Sequence, residues 1–282
     1  MLNTKIGVFK YLLWRNDKIW PKLGKGEKAR ILRTNQIYNN VRDDYKNPEL
    51  YGDGRIEGGE KWDASDDRLA LWRGKILNEV LEKQKPASVL EIGPGAGFYT
   101  RLICEKEYVQ EYAGIDIVKP FLDYLEVRLA ALKARKNNFV FQLVCNDFMN
   151  LNYPNHFDLI VLLSTVHHIP NREDLFFKLT GFLEKGGLIL CIDPSHYWRR
   201  KIHLLKSLHI YLKKSYYSMP ESLGTHHMTT YEEYKKLGQK NGLRIEREWY
   251  ILPNKFFKNK LLACHSWWRR LSSEMGILIR KA

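Results

Sequence analysis

VLEIGPGAG, running from Val89 to Gly97, decides the fold. Ser88 to Ile92 (SVLEI) is an apolar run of strand length, and glycines at 93, 95 and 97 close it before a helical pattern opens at Phe98. Glycines at alternate positions let the backbone turn sharply and let a ligand approach with no Cβ in the way. The helix that follows presents unpaired N–H groups and a partial positive charge at its start. A plain tight turn would explain the triplet as well, so its meaning depends on what surrounds it.

Outward from this turn, strand and helix alternate. Ala70 to Leu81 has apolar residues at helical spacing, and Phe98 to Glu107 suits a second helix. Tyr112 to Ile117 reads as a strand, Lys119 to Lys133 as a helix and Phe139 to Cys145 as a strand. The rhythm continues through the strand Asp158 to Leu163, the helix Arg172 to Leu183 and the strand Leu188 to Asp193. Five strands with helices between them imply a parallel, doubly wound α/β sheet, because parallel neighbours need right-handed crossovers. After Pro194 the pattern changes to a basic, aromatic stretch, a turn-rich segment from Ser218 to Thr225 and a helix from Tyr231 to Asn241 that Gly242 would cap. Strands at Leu243 to Tyr250 and Ile277 to Arg280 flank an expected helix at about 258–271. Residues 1–66 contain no clear strand and read as a helical and loop extension.

Composition narrows the class. With 44% hydrophobic and 28% charged residues over 282 positions, the chain is globular rather than collagen-like or disordered. Its longest apolar runs, such as Leu159 to Leu163, fall far short of the ~20 residues that cross a bilayer. Met1 to Lys10 lacks the pattern of a signal peptide, so a cytoplasmic location is expected. Cys104, Cys145, Cys191 and Cys264 are widely spaced, which gives no metal cluster and suggests reduced, buried thiols. The net charge of +14 is uneven: residues 1–50 carry 11 Lys and Arg against 5 Asp and Glu, residues 51–194 carry 17 against 21, and residues 195–282 carry 18 against 6. The basic excess lies in the two ends, and the stretch bearing the glycine turn is slightly acidic.

Three further positions bear on the ligand. Asp116 closes the second strand, where a carboxylate can accept both hydroxyls of a ribose. Asp147 and Phe148 follow the third, offering an acceptor for an exocyclic amine beside a ring able to stack on a purine. All fall at the carboxyl edge of the sheet, where open α/β folds bind ligands. The spacing G-x-G-x-G differs from the dinucleotide pattern G-x-G-x-x-G, and Glu91 stands two residues before the first glycine. A carboxylate there would repel a pyrophosphate and favour a ligand carrying an ammonium or sulfonium charge. The main alternative for the fold is an ordinary dehydrogenase-type domain.

On these residues the sequence resembles the class I S-adenosylmethionine-dependent methyltransferases, in particular a small-molecule group similar to the ubiquinone and menaquinone methyltransferases. The resemblance is carried by VLEIGPGAG, YAGID with Asp116, CNDFMNL with Asp147, FDLIVLLSTVHHIP and GFLEKGGLILCIDP, over about residues 70–193. It implies a Rossmann-like seven-stranded sheet with an antiparallel last strand, in a domain from 67 to 282. It further implies Glu91, Gly93 and Gly95 near the methionine end of the cofactor, Asp116 on the ribose, Asp147 and Phe148 on the adenine, Ser164 to Val166 on the methionine and sulfonium side, and Gly97 and Ile117 among the cofactor-binding residues. The product would be S-adenosylhomocysteine.

The acceptor is less legible. His167 and His168 follow the fourth strand and could take a proton from an oxygen acceptor near neutral pH, although one of them could equally pack the loop. His226 and His227 are candidates from the opposite wall. The loop after strand four reads STVHHIP and lacks the aromatic-proline motif of amino-methylating nucleic-acid enzymes of this class. From His196 to Lys214, Trp198, Ile202, Leu205, Leu208 and Leu212 share one side of a helical wheel and Arg199, Arg200, Lys206, Lys213 and Lys214 the other. Ile6 to Trp20 is similarly aromatic and basic. These segments could roof an apolar pocket as a lid at about 195–225 and touch anionic membrane, or could simply cover the core. A small hydrophobic or lipid-like acceptor is the favoured expectation. An RNA methyltransferase using the basic ends and a non-catalytic cofactor-binding scaffold are the alternatives.

Overall fold

The structure, a computed structural model, describes residues 25, 68–151, 156–169, 171–194, 230–252, 261–263, 272 and 274–282. The expected lid at 195–225, the histidines at 226 and 227, and residues 1–66 apart from position 25 lie outside the described residues.

Along the chain the elements are α1 (Arg68–Gln84), β1 (Ser88–Ile92), α2 (Phe98–Cys104), β2 (Glu111–Asp116), α3 (Lys119–Lys133) and β3 (Val140–Cys145). They continue with β4 (Phe157–Leu163), α4 (Arg172–Gly181), β5 (Leu183–Pro194), α5 (Tyr231–Lys240), β6 (Leu243–Ile251), β7 (Leu261–Ala263) and β8 (Glu274–Lys281). One sheet takes all eight strands in the order β3-β2-β1-β4-β5-β8-β6-β7. Strands β1 to β5 pair in parallel, and β8 enters antiparallel between β5 and β6. The seven expected strands are all present, with the expected antiparallel last one. The eighth, β7, is a correction: the helix expected over 258–271 is interrupted by Leu261–Ala263, which extends the sheet by pairing with Trp249 to Ile251 of β6. Backbone donors and acceptors on the outer side of β6 must be satisfied, and three apolar residues in extended form satisfy them at an edge.

The sequence forms these elements for local reasons. β4 (FDLIVLL) is apolar on both faces and central, as a strand covered by helices on both sides must be. Its start is tied to β1, since Asp158 Oδ2 accepts from Ala87 N–H at 2.9 Å, Ser88 N–H at 3.0 Å and the Ser88 hydroxyl at 3.1 Å. Helix α5 opens on Thr230, whose hydroxyl accepts from Glu233 N–H at 3.2 Å, and closes before Gly242 at φ +67°. Helix α4 opens on Asn171, which caps Asp174 N–H.

Alternate residues of each strand feed two cores. Leu90, Ile92, Ile160, Leu162, Ile189 and Cys191 face α4 and α5, where Phe176, Leu179, Tyr234 and Leu237 are buried. Val89, Val161, Leu190 and Ile192 face the other layer, with Ile76, Leu77, Val80 and Leu81 of α1, Ile103 of α2 and Leu125 and Leu129 of α3. Cys104 and Cys191 are buried as expected, whereas Cys145 is exposed at the end of edge strand β3, which pairs on one side only; Cys264 lies outside the described residues. Among the described residues no helix is long and apolar enough to cross a membrane.

The strand order reverses between β1 and β4. Connections from β1 run outward to β2 and β3, and those from β4 run the other way to β5. Loops diverging from such a point leave a crevice at the carboxyl edge, which here collects the residues after β1, β2, β3, β4 and β5.

Trp249 of β6 lies in the second core at 1% exposure, its indole N–H donating to Glu79 of α1 at 3.2 Å. Trp249→Ala is expected to lower unfolding free energy by about 3–5 kcal/mol, read by urea denaturation, without moving the carboxyl edge.

Candidate active site

At the end of β1 the chain enters the glycine turn. Gly93 N–H donates to Ile115 O of β2 at 2.8 Å, and Gly93 has φ +75°. A Cβ on Gly93 would stand 2.7 Å from the Thr165 hydroxyl oxygen, so the turn touches the loop after β4. That hydroxyl donates to Ile92 O at 2.9 Å, locking the two loops together. Gly95, at φ +55°, has nothing within 4 Å of the space a Cβ would fill. Its N–H donates to Asp116 Oδ2 at 3.0 Å, while Asp116 Oδ1 accepts from Val118 N–H at 2.9 Å. A ligand hydroxyl approaching the turn would meet a charged acceptor here, which makes the stronger kind of hydrogen bond. Gly97, at φ +85°, is the N-cap of α2 and supplies no side chain to its first amides.

Glu91 sits beneath this turn, on the side of the sheet covered by α1, α2 and α3. It is 2% exposed and accepts on Oε2 from the Thr100 hydroxyl at 2.6 Å and from the Tyr112 hydroxyl at 2.8 Å. Burial outweighs these two bonds, and with some repulsion from Asp116 it pushes the Glu91 carboxyl up to about 7. Tyr112 is held above its ordinary range by the same burial.

The remaining expected cofactor positions lie along the same edge. Ile117 follows Asp116, and its carbonyl accepts from the Cys145 thiol at 3.8 Å. Asp147 is exposed and caps a short 3-10 turn, Oδ1 accepting from Met149 N–H at 2.9 Å. Phe148 is 3% exposed; its ring lies 5.3 Å from the Phe182 ring and has the Lys178 ammonium 5.5 Å from its centroid. The ring packs in the core under α4. Ser164, straight after β4, has φ +56°, and its N–H donates to Ile192 O at 2.7 Å. A left-handed non-glycine residue held by its neighbours is a strained position of the kind found at ligand sites.

The two histidines of the β4 loop are in the 3-10 turn Val166–His168. Val166 is fully buried and anchors the turn. His167 is 4% exposed; its Nδ1 lies 2.6 Å from Asp193 Oδ1, and its N–H donates to the same oxygen at 3.2 Å. Asp193, at the end of β5 and fully buried, accepts on Oδ2 from the Tyr234 hydroxyl of α5 at 3.1 Å. The side chain of His168 lies outside the described residues. Thr100, Tyr112, Asp193 and Tyr234 were not singled out by the sequence. Asp193 alone left a trace there, as a carboxylate ending an otherwise apolar strand; the others are ordinary core or helix residues until the fold brings them to the edge.

Residues 65–248 match the methyltransferase domain family. The chain belongs to that family. The matched residues form an S-adenosylmethionine-dependent methyltransferase domain. Among curated proteins the chain is 26% identical over 197 residues to peramine synthetase A of Epichloe festucae (strain Fl1); the match takes 68% of this chain and spans 7% of that protein's length. Among solved structures it is similar to magnesium protoporphyrin IX methyltransferase from Synechocystis PCC 6803 with bound S-adenosylhomocysteine. There the TM-score is 0.58 at 14% identity, covering 88% of this methyltransferase and 100% of that chain. It is also similar to N-methyltransferase NodS from Bradyrhizobium japonicum WM9 in complex with S-adenosylhomocysteine, with a TM-score of 0.54 at 13% identity over 80% and 94% of the two chains. At these identities the structural likeness is one of fold, and it replaces the dehydrogenase-type alternative.

The residues of this methyltransferase fit the cofactor. Among the described residues nothing fills the space beside Gly95, so a ligand can lie against bare backbone there; Asp116 sets a carboxylate beside that turn, and the carboxyl edge carries Glu91, Asp116 and Asp147 toward a cationic molecule. Asp116→Ala is expected to weaken S-adenosylhomocysteine binding by about 1–3 kcal/mol in titration calorimetry, as for hydrogen bonds lost from a charged acceptor. Unchanged affinity would remove Asp116 from the site.

Proposed function

We propose that this methyltransferase acts on a small, hydrophobic acceptor at an oxygen or carbon atom, with His167 as the base that takes the acceptor's proton. The observation that carries this is the buried His167–Asp193 pair, with Nδ1 2.6 Å from Oδ1. A carboxylate facing Nδ1 makes that nitrogen the donor, which turns Nε2 into the basic nitrogen of the ring. Tyr234, donating to the other oxygen of Asp193, steadies the carboxylate. S-adenosylmethionine, when bound, supplies an electrophilic methyl group. The chain must hold the acceptor in line with it, which by itself accounts for much of the rate. An amine can shed its proton to water before it binds. A weakly acidic hydroxyl or carbon acid arrives protonated and gives up its proton as the methyl group is transferred, a step that a fixed base serves.

The hydrophobic character of the acceptor rests on the amphipathic sequences at 6–20 and 196–214 and on the likeness to the quinone methyltransferases. Contact of these segments with anionic lipid belongs to the same reading. The RNA alternative is disfavoured by the acidic balance of residues 51–194, the stretch that builds the edge.

An acceptor screen with methyl-labelled cofactor tests the proposal. On the acceptor so found, His167→Ala and Asp193→Asn should each lower kcat by about 10²–10⁴, while S-adenosylhomocysteine affinity stays within twofold. Turnover unaffected by either substitution would dismiss His167 as the base. An acceptor methylated only on an amine would overturn the choice of oxygen or carbon.

A further inference from the structure

The carboxyl group of Glu91 has no part in the proton chemistry assigned to His167, yet it is the buried acid nearest the glycine turn. It lies two residues before Gly93, on the face of β1 opposite Leu90 and Ile92. The groups packed on it are Thr100 and Cys104 from α2, Tyr112 and Asp116 from β2 and the apolar Val161 of β4, its register partner. Tyr112 and Cys104 are both driven by burial well above their ordinary ranges, so they stay neutral through the physiological interval. No cation is among these neighbours. Both hydrogen bonds to Glu91 fall on Oε2, so Oε1 keeps its lone pairs for a proton or for a positive charge placed over the turn.

We propose that Glu91 couples cofactor binding to proton release: a cationic cofactor settling over the glycine turn drives a proton from the buried carboxyl into bulk water and leaves carboxylate and cation paired. The balance is simple. The protonated acid and the cation enter, and the ion pair and one hydrogen ion leave. This inference rests on the cofactor assignment and is independent of the acceptor and of His167.

The sign follows from the burial of Glu91, which holds its proton up to about 7 when no cation is near. Below that pH binding must expel the proton and weakens as acidity rises; above it the carboxylate is already formed and affinity levels off. The ligand's carboxyl titrates at lower pH and its amino group at about 8, above the Glu91 midpoint, so the weakening on the acid side belongs to the protein. The arrangement makes the protein a better receptor for its cofactor on the alkaline side of neutrality. Thr100 and Tyr112 set the midpoint, since their hydroxyls favour the ionised form.

The test is titration calorimetry of the full chain with S-adenosylhomocysteine from pH 5.5 to 8, in buffers of different ionisation enthalpy. Wild type should release about half a proton per ligand at pH 7, with affinity falling toward tenfold per pH unit on the acid side. Glu91→Gln, which keeps an oxygen acceptor for Thr100 and Tyr112, should bind with flat pH dependence and no proton release. Thr100→Val, which removes one donor and keeps the volume, should move the midpoint upward without abolishing the release. A wild-type titration with no released proton would overturn the proposal. So would a release in Glu91→Gln equal to that of wild type, which would place the proton on another group.

Discussion

The amide of Gly95 donates to the Asp116 carboxylate, and the backbone at Gly93 lies so close to the Thr165 hydroxyl that no side chain fits between them. Through these contacts the ends of β1, β2 and β4 become one rigid rim. The parallel pairing of β1 with both neighbours sets the height of each strand end, and the turn then joins them at that height. A longer residue at 93 would separate the β1 and β4 loops, and with them the cofactor side and the histidine side of the crevice. The position of Asp116, of Ser164 and of the turn bearing His167 all follow from this closure.

On either face of the rim lies a buried carboxylate, and the two are solvated in different ways. Glu91, on the face of α1 to α3, has two hydroxyl donors and, among the described residues, no cation paired with it, so desolvation prevails and its proton is retained toward neutrality. Asp193, on the face of α4 and α5, has the His167 amide, the His167 ring and the Tyr234 hydroxyl around it. One carboxylate is left wanting a positive charge and the other already has a partner able to carry one. Glu91 stands below the glycine turn and Asp193 beside His167, with the sheet between them.

Much of this was legible before any coordinates. The alternation of apolar strand and amphipathic helix from Ala70 to Asp193 follows from the two periodicities of the backbone, so the doubly wound sheet and the ligand edge could be read directly. Asp116 was readable because its distance from the glycine turn is set by one helix and one strand. The packing of Phe148 was not readable, because a phenylalanine after a strand end looks the same in sequence whatever its ring meets, and the contact with Phe182 depends on where α4 ends. The short strand Leu261–Ala263 was read as helix because three apolar residues have no period of their own, and the free edge of β6 determined their form.

The amino-acid sequence by itself determined the order of strands and helices, the glycine turn, the carboxylates at the strand ends and hence the cofactor class, because all of these are local patterns repeated along one stretch of chain. Only the tertiary structure decided which side chains serve those carboxylates. Thr100 and Tyr112 reach Glu91 from 9 and 21 residues away, Asp193 reaches His167 across 26 residues, and Tyr234 reaches Asp193 across 41. Such partnerships depend on which faces the helices bury against the sheet, a choice made by packing the two cores and invisible in the spacing of the residues.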